Sequence, residues 1–210
     1  MKRQTVIRYI INSIQSNDIM LFNGEQLCKE AYKYHREGFM YITRGDALAL
    51  GIGIANGTDK KVFVVIEDNF ALKNLDVLLQ AAASKCSNLF VVITISGCYS
   101  ENKNMPNLVS GISNVSGLFF SMGFIVHDYT KKLMKKDYAE VKATWTRARG
   151  PLIAIVYVEP GANKTAPELD FDFEDSLKSF SEFVRNRDLG TSMFIPPAPL
   201  DDSVILVEGN

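Results

Sequence analysis

The stretch Val62-Phe63-Val64-Val65-Ile66-Glu67-Asp68-Asn69, with its counterpart Leu89-Phe90-Val91-Val92-Ile93-Thr94-Ile95-Ser96-Gly97-Cys98-Tyr99, decides the fold. Each is an unbroken apolar, largely β-branched run that halts on a polar turn. Such runs read as strands covered on both faces, as in a parallel sheet. Between them Leu75, Leu78, Leu79 and Ala82 recur at helical spacing, so the unit reads strand, helix, strand. In a doubly wound sheet the turns after such strands emerge at the carboxyl edge, where open α/β folds bind their ligands. Asp68 and Ser96 are therefore expected to face one crevice.

The same alternation extends in both directions. Val6, Ile7, Ile10, Ile11 and Ile14 mark a helical face from about Thr5 to Ser16, followed by a short strand, Ile19 to Phe22. Leu27, Ala31 and Tyr34 continue as a helix to about Arg36, and Phe39 to Thr43 reads as the next strand. From Asp46 to Asn56 small and apolar residues, with Gly51 and Gly53 among them, predict a buried helix lying close against the sheet. Beyond Tyr99, Glu101 to Asn107 reads as a polar loop, and Leu108, Ile112, Val115 and Phe119 predict one helix. Phe124 to Val126 is a brief strand, Lys131 to about Ala148 a helix, Leu152 to Val158 a strand, and Glu174 to about Arg187 a helix. The expectation is an α/β, doubly wound, mainly parallel sheet of about six strands. Residues 1–189 form this domain. Residues 190–210, with Pro196-Pro197-Ala198-Pro199, form a C-terminal arm too rigid and donor-poor for a helix or central strand.

Composition narrows the function classes. A chain of 210 residues with 47% apolar and 22% charged residues is of ordinary globular composition. No apolar run reaches the length of a membrane span. Lys plus Arg (23) against Asp plus Glu (24) leaves a net charge of −1, so no global basic field points to nucleic acid. The lysines at 131, 132, 135 and 136 lack interleaved aromatic platforms and read as a solvated face. Cys28, Cys86 and Cys98 lack metal-ligand spacing and fit reduced thiols of a cytoplasmic protein without an export signal. Gly51-x-Gly53-x-x-x-Gly57 falls inside a predicted helix with the wrong spacing for a dinucleotide fingerprint, which favours close packing. His35 and His127 have no nucleophile beside them in sequence, and Ser96-Gly97 lacks the nucleophile-elbow pattern.

The Asp68 and Ser96 turns are the sharper feature. One carboxylate, one hydroxyl and the backbone carbonyl of Cys98 supply three hard oxygens, the ligand type that Mg²⁺ combines with substrate phosphates and water. The alternative is that both turns merely cap helices.

At these residues the chain resembles the diphosphate-binding half of thiamine-diphosphate enzymes, in the group of phosphonopyruvate and sulfopyruvate decarboxylases. Where that family writes Gly-Asp-Gly after a buried strand, this chain has Glu67-Asp68-Asn69. Asn74-Leu75 matches its Asn-Leu, Ile95-Ser96-Gly97 its Asp-Asn-Gly, and Pro106 a proline further on. Gly45, Gly51 and Gly53 match glycines of the preceding helix region, and Gly150-Pro151 opens the last parallel strand. The resemblance implies a thiamine-diphosphate-binding fold, with Asp68, Ser96 and the Cys98 carbonyl as metal ligands. It also implies Gly24, Gly45, Asp68, Asn69, Asn74 and Gly97 as the cofactor-binding set, with Arg44 toward an anionic substrate.

Two readings follow. In the first, the chain is a thiamine-diphosphate and Mg²⁺ binding subunit of a 2-oxoacid decarboxylase-like enzyme (a lyase), which needs a pyrimidine-domain partner chain. In the second it is a non-catalytic homologue acting as a structural or assembly protein, favoured by Glu67 and Asn69 in place of glycines that admit a diphosphate. Both include self-association into a homo-oligomer, with neither nucleic acid nor a membrane as partner.

Overall fold

The computed structural model describes residues 1–15, 17–34, 40–43, 46–99, 102–129, 143–145, 147–161, 165–170 and 172–185. Eight strands and seven α-helices are defined among them: α1 (Arg3–Ser13), β1 (Ile19–Asn23), α2 (Glu25–Tyr32), β2 (Met40–Ile42), α3 (Ala47–Gly57), β3 (Val62–Glu67), α4 (Asp68–Lys73), α5 (Leu75–Ser84), β4 (Leu89–Ile95), β5 (Cys98–Tyr99), β6 (Asn102–Pro106), α6 (Val115–Ser121), β7 (Ile125–Tyr129), β8 (Leu152–Tyr157) and α7 (Phe173–Arg185). Six strands form one sheet in the order β2-β1-β3-β4-β8-β7, parallel at every pairing.

The central pair is the one the apolar runs predict. Val62 lies opposite Leu89 and Glu67 opposite Thr94, in register throughout. Every residue of β4 is buried, as is every residue of β3 except Glu67, because helices cover both faces. Ile19, Leu21, Val64, Ile66, Val91, Ile93, Ile153 and Ile155 point into one core, shared with α3, α5 and α6. Met20, Phe22, Phe63, Val65, Phe90, Val92 and Ala154 point into the other, covered by α1, α2 and Trp145. Phe63 stacks on Phe90 with centroids 4.9 Å apart and meets Trp145 at 5.9 Å, which fills the space beneath α1 with rings. Asp46 caps α3 through the N–H groups of Leu48 and Ala49. A Cβ on Gly51 would sit 2.4 Å from Val64 Cγ2, so this glycine lets α3 lie directly on β3. Gly53 has open space instead and carries no such constraint.

Four expectations are corrected. The stretch 102–106, read as a loop, is strand β6, which pairs antiparallel with β5 in a small exposed hairpin. All five of its residues are exposed and only Met105 is a large apolar one, so no apolar alternation announces it. The helix expected from Leu108 to Phe119 is a 3-10 turn (Leu108–Gly111) followed by α6, because Asn107 and Asn114 each cap a new start with their side-chain oxygen. The brief strand at 124 runs on to Tyr129 as β7. Leu79, counted on the apolar face of α5, is 52% exposed. Of the Lys131–Ala148 helix only 143–145, 147 and 148 fall within the described residues, and all of these but Ala148 are helical. The C-terminal arm, Gly45, Arg44 and His35 lie outside them.

Candidate functional site at the carboxyl edge

The chain crosses from β1 to β2 on one side and from β3 to β4 on the other, so the strand order reverses between β1 and β3. At that switch point the two carboxyl ends diverge and a crevice opens. Gly24 lies at the end of β1, and Glu67 and Asp68 at the end of β3. Ser96 and Gly97 follow β4, the next strand over.

Asp68 is 2% exposed and organises the centre of this edge. Its Oδ2 accepts the backbone N–H groups of Ser96 and Gly97, both at 2.8 Å, and lies 3.4 Å from Ser96 Oγ. Its Oδ1 accepts the N–H of Asn69 at 2.7 Å and the side-chain amide of Asn107 at 2.9 Å. Ser96 Oγ in turn donates to the Cys98 carbonyl at 2.9 Å. The three oxygens singled out in the sequence, on Asp68, Ser96 and Cys98, are thus brought together across two strands. Gly97 and Asn69 join them through their N–H groups. Asn69 Oδ1 is buried with no hydrogen-bond partner. Asn74 is elsewhere: its amide donates to Phe70 O at 2.8 Å, at the junction of α4 and α5.

A second cluster fills the crevice beside Gly24. Glu67 continues β3 next to Gly24, whose φ of 117° is accessible to glycine. A Cβ there would meet the Glu67 carboxyl carbon at 3.1 Å. Arg3, from α1, holds the Glu67 carboxylate at 2.9 Å through Nη1, and holds Glu30 through Nη2 at 3.0 Å and Nε at 3.3 Å. The Arg3 and Glu30 side chains are 4% and 2% exposed, and that of Glu67 is 16% exposed. Nearby, burial and then the Glu67 charge push the Cys28 thiol up to about 12, so it stays protonated.

The fit of the implied groups follows from these contacts. A carboxylate offers about four acceptor positions, and four protein N–H groups occupy those of Asp68. Mg²⁺ needs six oxygens with lone pairs turned toward it. Here the Asp68 and Cys98 oxygens are already saturated by donors. At the diphosphate end, a glutamate side chain lies over Gly24 where the resemblance expects open backbone. The residues as arranged do not fit Mg²⁺ and thiamine diphosphate without displacement of Asn107 and Glu67. Among the described residues, no cluster of three or more His, Cys, Asp or Glu side chains is placed to hold a metal.

Arg3, Glu30 and Asn107 were not anticipated, although two of them left a trace. Arg3 shares the helical face of Val6, Ile7 and Ile10, and Glu30 that of Leu27 and Ala31, so each is a charge on an apolar stripe. Asn107 looked like one more polar residue of a loop. A groove of about 660 Å³ lined by Asn56, Lys60, Lys85, Cys86 and Asn88 lies at the opposite, amino edge. There Asn88 Nδ2 donates to the carbonyls of Ala55, Thr58 and Lys60, and Cys86 Sγ to Asn56, which ties the lining together.

This parallel order matches known proteins. The chain superposes on the thiamine diphosphate-dependent 4-hydroxybenzoylformate decarboxylase of Rhodococcus jostii RHA1 with a TM-score of 0.57, at 16% identity over 79% of its length. It does so with a TM-score of 0.56 on a candidate thiamin diphosphate-dependent enzyme isolated from Mycobacterium smegmatis, at 15% identity over 78% of its length. The chain has the thiamine-diphosphate-binding fold. It spans about a third of each of those structures, 33% and 32%. In sequence it is 28% identical over 178 residues to the sulfopyruvate decarboxylase subunit beta of Methanothermobacter thermautotrophicus, covering 83% of this chain and 91% of that one. No family model matches it. All three cysteines are free thiols, and among the described residues no helix is long and apolar enough to cross a membrane.

Proposed function

We propose that this chain is the diphosphate-domain subunit of a two-chain assembly of the thiamine-diphosphate-enzyme type, paired with a pyrimidine-domain chain. In the arrangement described above, its own contribution is structural. The observation that carries this reading is the Glu67 carboxylate, fixed by buried Arg3 over Gly24 in the crevice at the switch point. Its side chain occupies the space beside Gly24, and the triad of Arg3, Glu30 and Glu67 carries one net negative charge, so both bulk and charge disfavour a diphosphate there. The need for a second chain is supported by the beta-subunit relative, which aligns over nearly its whole length.

The second reading keeps the cofactor: a thiamine diphosphate and Mg²⁺ binding subunit of a 2-oxoacid decarboxylase-like lyase. The convergence of Asp68, Ser96 and the Cys98 carbonyl favours it. When bound, the cofactor would supply the carbanion chemistry itself. This chain would contribute ligand oxygens and exclude water, and no residue described here is placed to move a proton.

Co-expression of the tagged chain with a pyrimidine-domain subunit from the same genome tests the proposal. A stable complex by size-exclusion chromatography with light scattering is expected, with no Mg²⁺-dependent calorimetric heat from thiamine diphosphate. A chain that never co-purifies removes the assembly role. Tight Mg²⁺-dependent binding by the complex installs the second reading.

A further inference from the structure

The Asn107 side chain holds the position between the two oxygens that any cation at this edge would share. It is 5% exposed and stands at the base of the β5–β6 hairpin. Its Nδ2 lies 2.9 Å from Asp68 Oδ1 and 3.1 Å from the Cys98 carbonyl, so it bridges the two. Its Oδ1 accepts the Val109 N–H at 3.0 Å, its own N–H donates to the Gly97 carbonyl at 3.0 Å, and its carbonyl accepts Ser110 Oγ at 2.7 Å. These bonds fix which end of the amide is which. Turned over, the oxygen would face two acceptors and the NH₂ group would face a donor, and all three side-chain bonds would be lost.

We infer that the Asn107 amide takes the place of a metal ion: the Asp68, Ser96 and Cys98 cluster is a cation-independent latch that ties the hairpin to β3 and β4. An NH₂ group offers two protons about 120° apart, which suits two acceptors held by different segments. It neutralises part of the Asp68 field without a full charge, and the N–H groups of Ser96, Gly97 and Asn69 supply the rest. The inference rests on the structural reading above and deepens it, but its readout is separate, because cation dependence is measured on this chain alone.

The experiment compares thermal unfolding of the full chain in EDTA, in MgCl₂ and in CaCl₂, for the wild type and for Asn107→Asp. The wild-type midpoint is expected to be the same in all three. Asn107→Asp replaces the bridging donor by a second carboxylate facing Asp68 and the Cys98 carbonyl, a set of hard oxygens that requires a cation. Its midpoint should fall in EDTA and recover by about 5–10 °C once Mg²⁺ or Ca²⁺ is near a hundredfold above its dissociation constant. A wild-type midpoint that rises with Mg²⁺ overturns the inference, since the cation would then displace the amide. So does a folded Asn107→Asp that ignores both cations. If that variant does not fold, the wild-type titration decides, supported by calorimetry in which MgCl₂ alone gives no binding heat.

Discussion

Replacing Arg3 by methionine should be among the most damaging single changes in this protein, and its size follows from the triad it leaves behind. Arg3 is the cation between two carboxylates, Glu30 and Glu67, at 3.0 and 2.9 Å. Arg3→Met keeps the bulk on α1 and removes the charge, so the two carboxylates lose the cation that stands between them. Breaking a buried ion pair from one side costs about 3–5 kcal/mol. At 2–4 °C per kcal/mol for a chain of this size, the melting midpoint should fall by about 6–20 °C. Glu67→Gln is much milder. Its amide oxygen still accepts from Arg3 Nη1, so the loss is the charge assistance of one hydrogen bond, about 1 kcal/mol. The decisive arm is the double variant. With Arg3 gone, Glu67 and Glu30 repel each other without the cation between them, so Glu67→Gln should stabilise the Arg3→Met background although it destabilises the wild type. Urea titrations at pH 7, followed by circular dichroism with shared m-values, measure all four corners of the cycle. Additive effects, or an Arg3→Met no worse than Glu67→Gln, would show that the triad is not the buried unit described here.

Asp68→Ala strands the N–H groups of Ser96, Gly97 and Asn69 together with the Asn107 amide, so a loss of at least about 3 kcal/mol is expected in the same denaturation assay. In the native protein a thiol reagent at pH 8 should label partly exposed Cys98 and spare Cys28, which is buried and pushed up to about 12; equal labelling rates would contradict that burial. Burial holds the His127 imidazole below its ordinary value of 6.5. The unfolded chain therefore takes the proton first as pH falls, and stability should drop from pH 7 to pH 5 by an amount that His127→Gln reduces. Light scattering should find a homo-oligomer at micromolar concentration that is altered by truncation at Leu189; an unchanged monomer would rule out self-association through the arm.

The sheet was legible because burial on both faces leaves an unmistakable mark. Val62 to Ile66 and Leu89 to Ile95 carry no polar residue but Thr94, and their central place follows from that alone. The meeting of Asp68 with Ser96 was legible for the same reason, since two parallel strands with helical crossovers put both following turns at one edge. What could not be read was the way the edge is satisfied. Asn107 contributes through side-chain bonds to residues nine and thirty-nine positions away, and nothing in its local pattern sets it apart from Asn102 or Asn104. In the sequence Glu67 stands out only as a replacement for a glycine that admits a diphosphate. Its actual partner, Arg3, comes from the far end of the chain, a pairing that only the packing of α1 against α2 creates.

The strand order also dictates a sequence of events during synthesis. Strands β2, β1, β3 and β4 are neighbours in the sheet and complete by residue 95, so that block can pair as soon as it leaves the ribosome. Strand β7 is the next strand of this sheet to emerge but sits outside β8, its one neighbour among the described strands, and β8 begins only at Leu152. Until then the open flank of β4 and the whole of β7 present unpaired backbone to whatever is nearby. The last parallel strand must insert between two others already made, so a nascent chain stalled before Tyr157 is the form of this protein most exposed to mispairing.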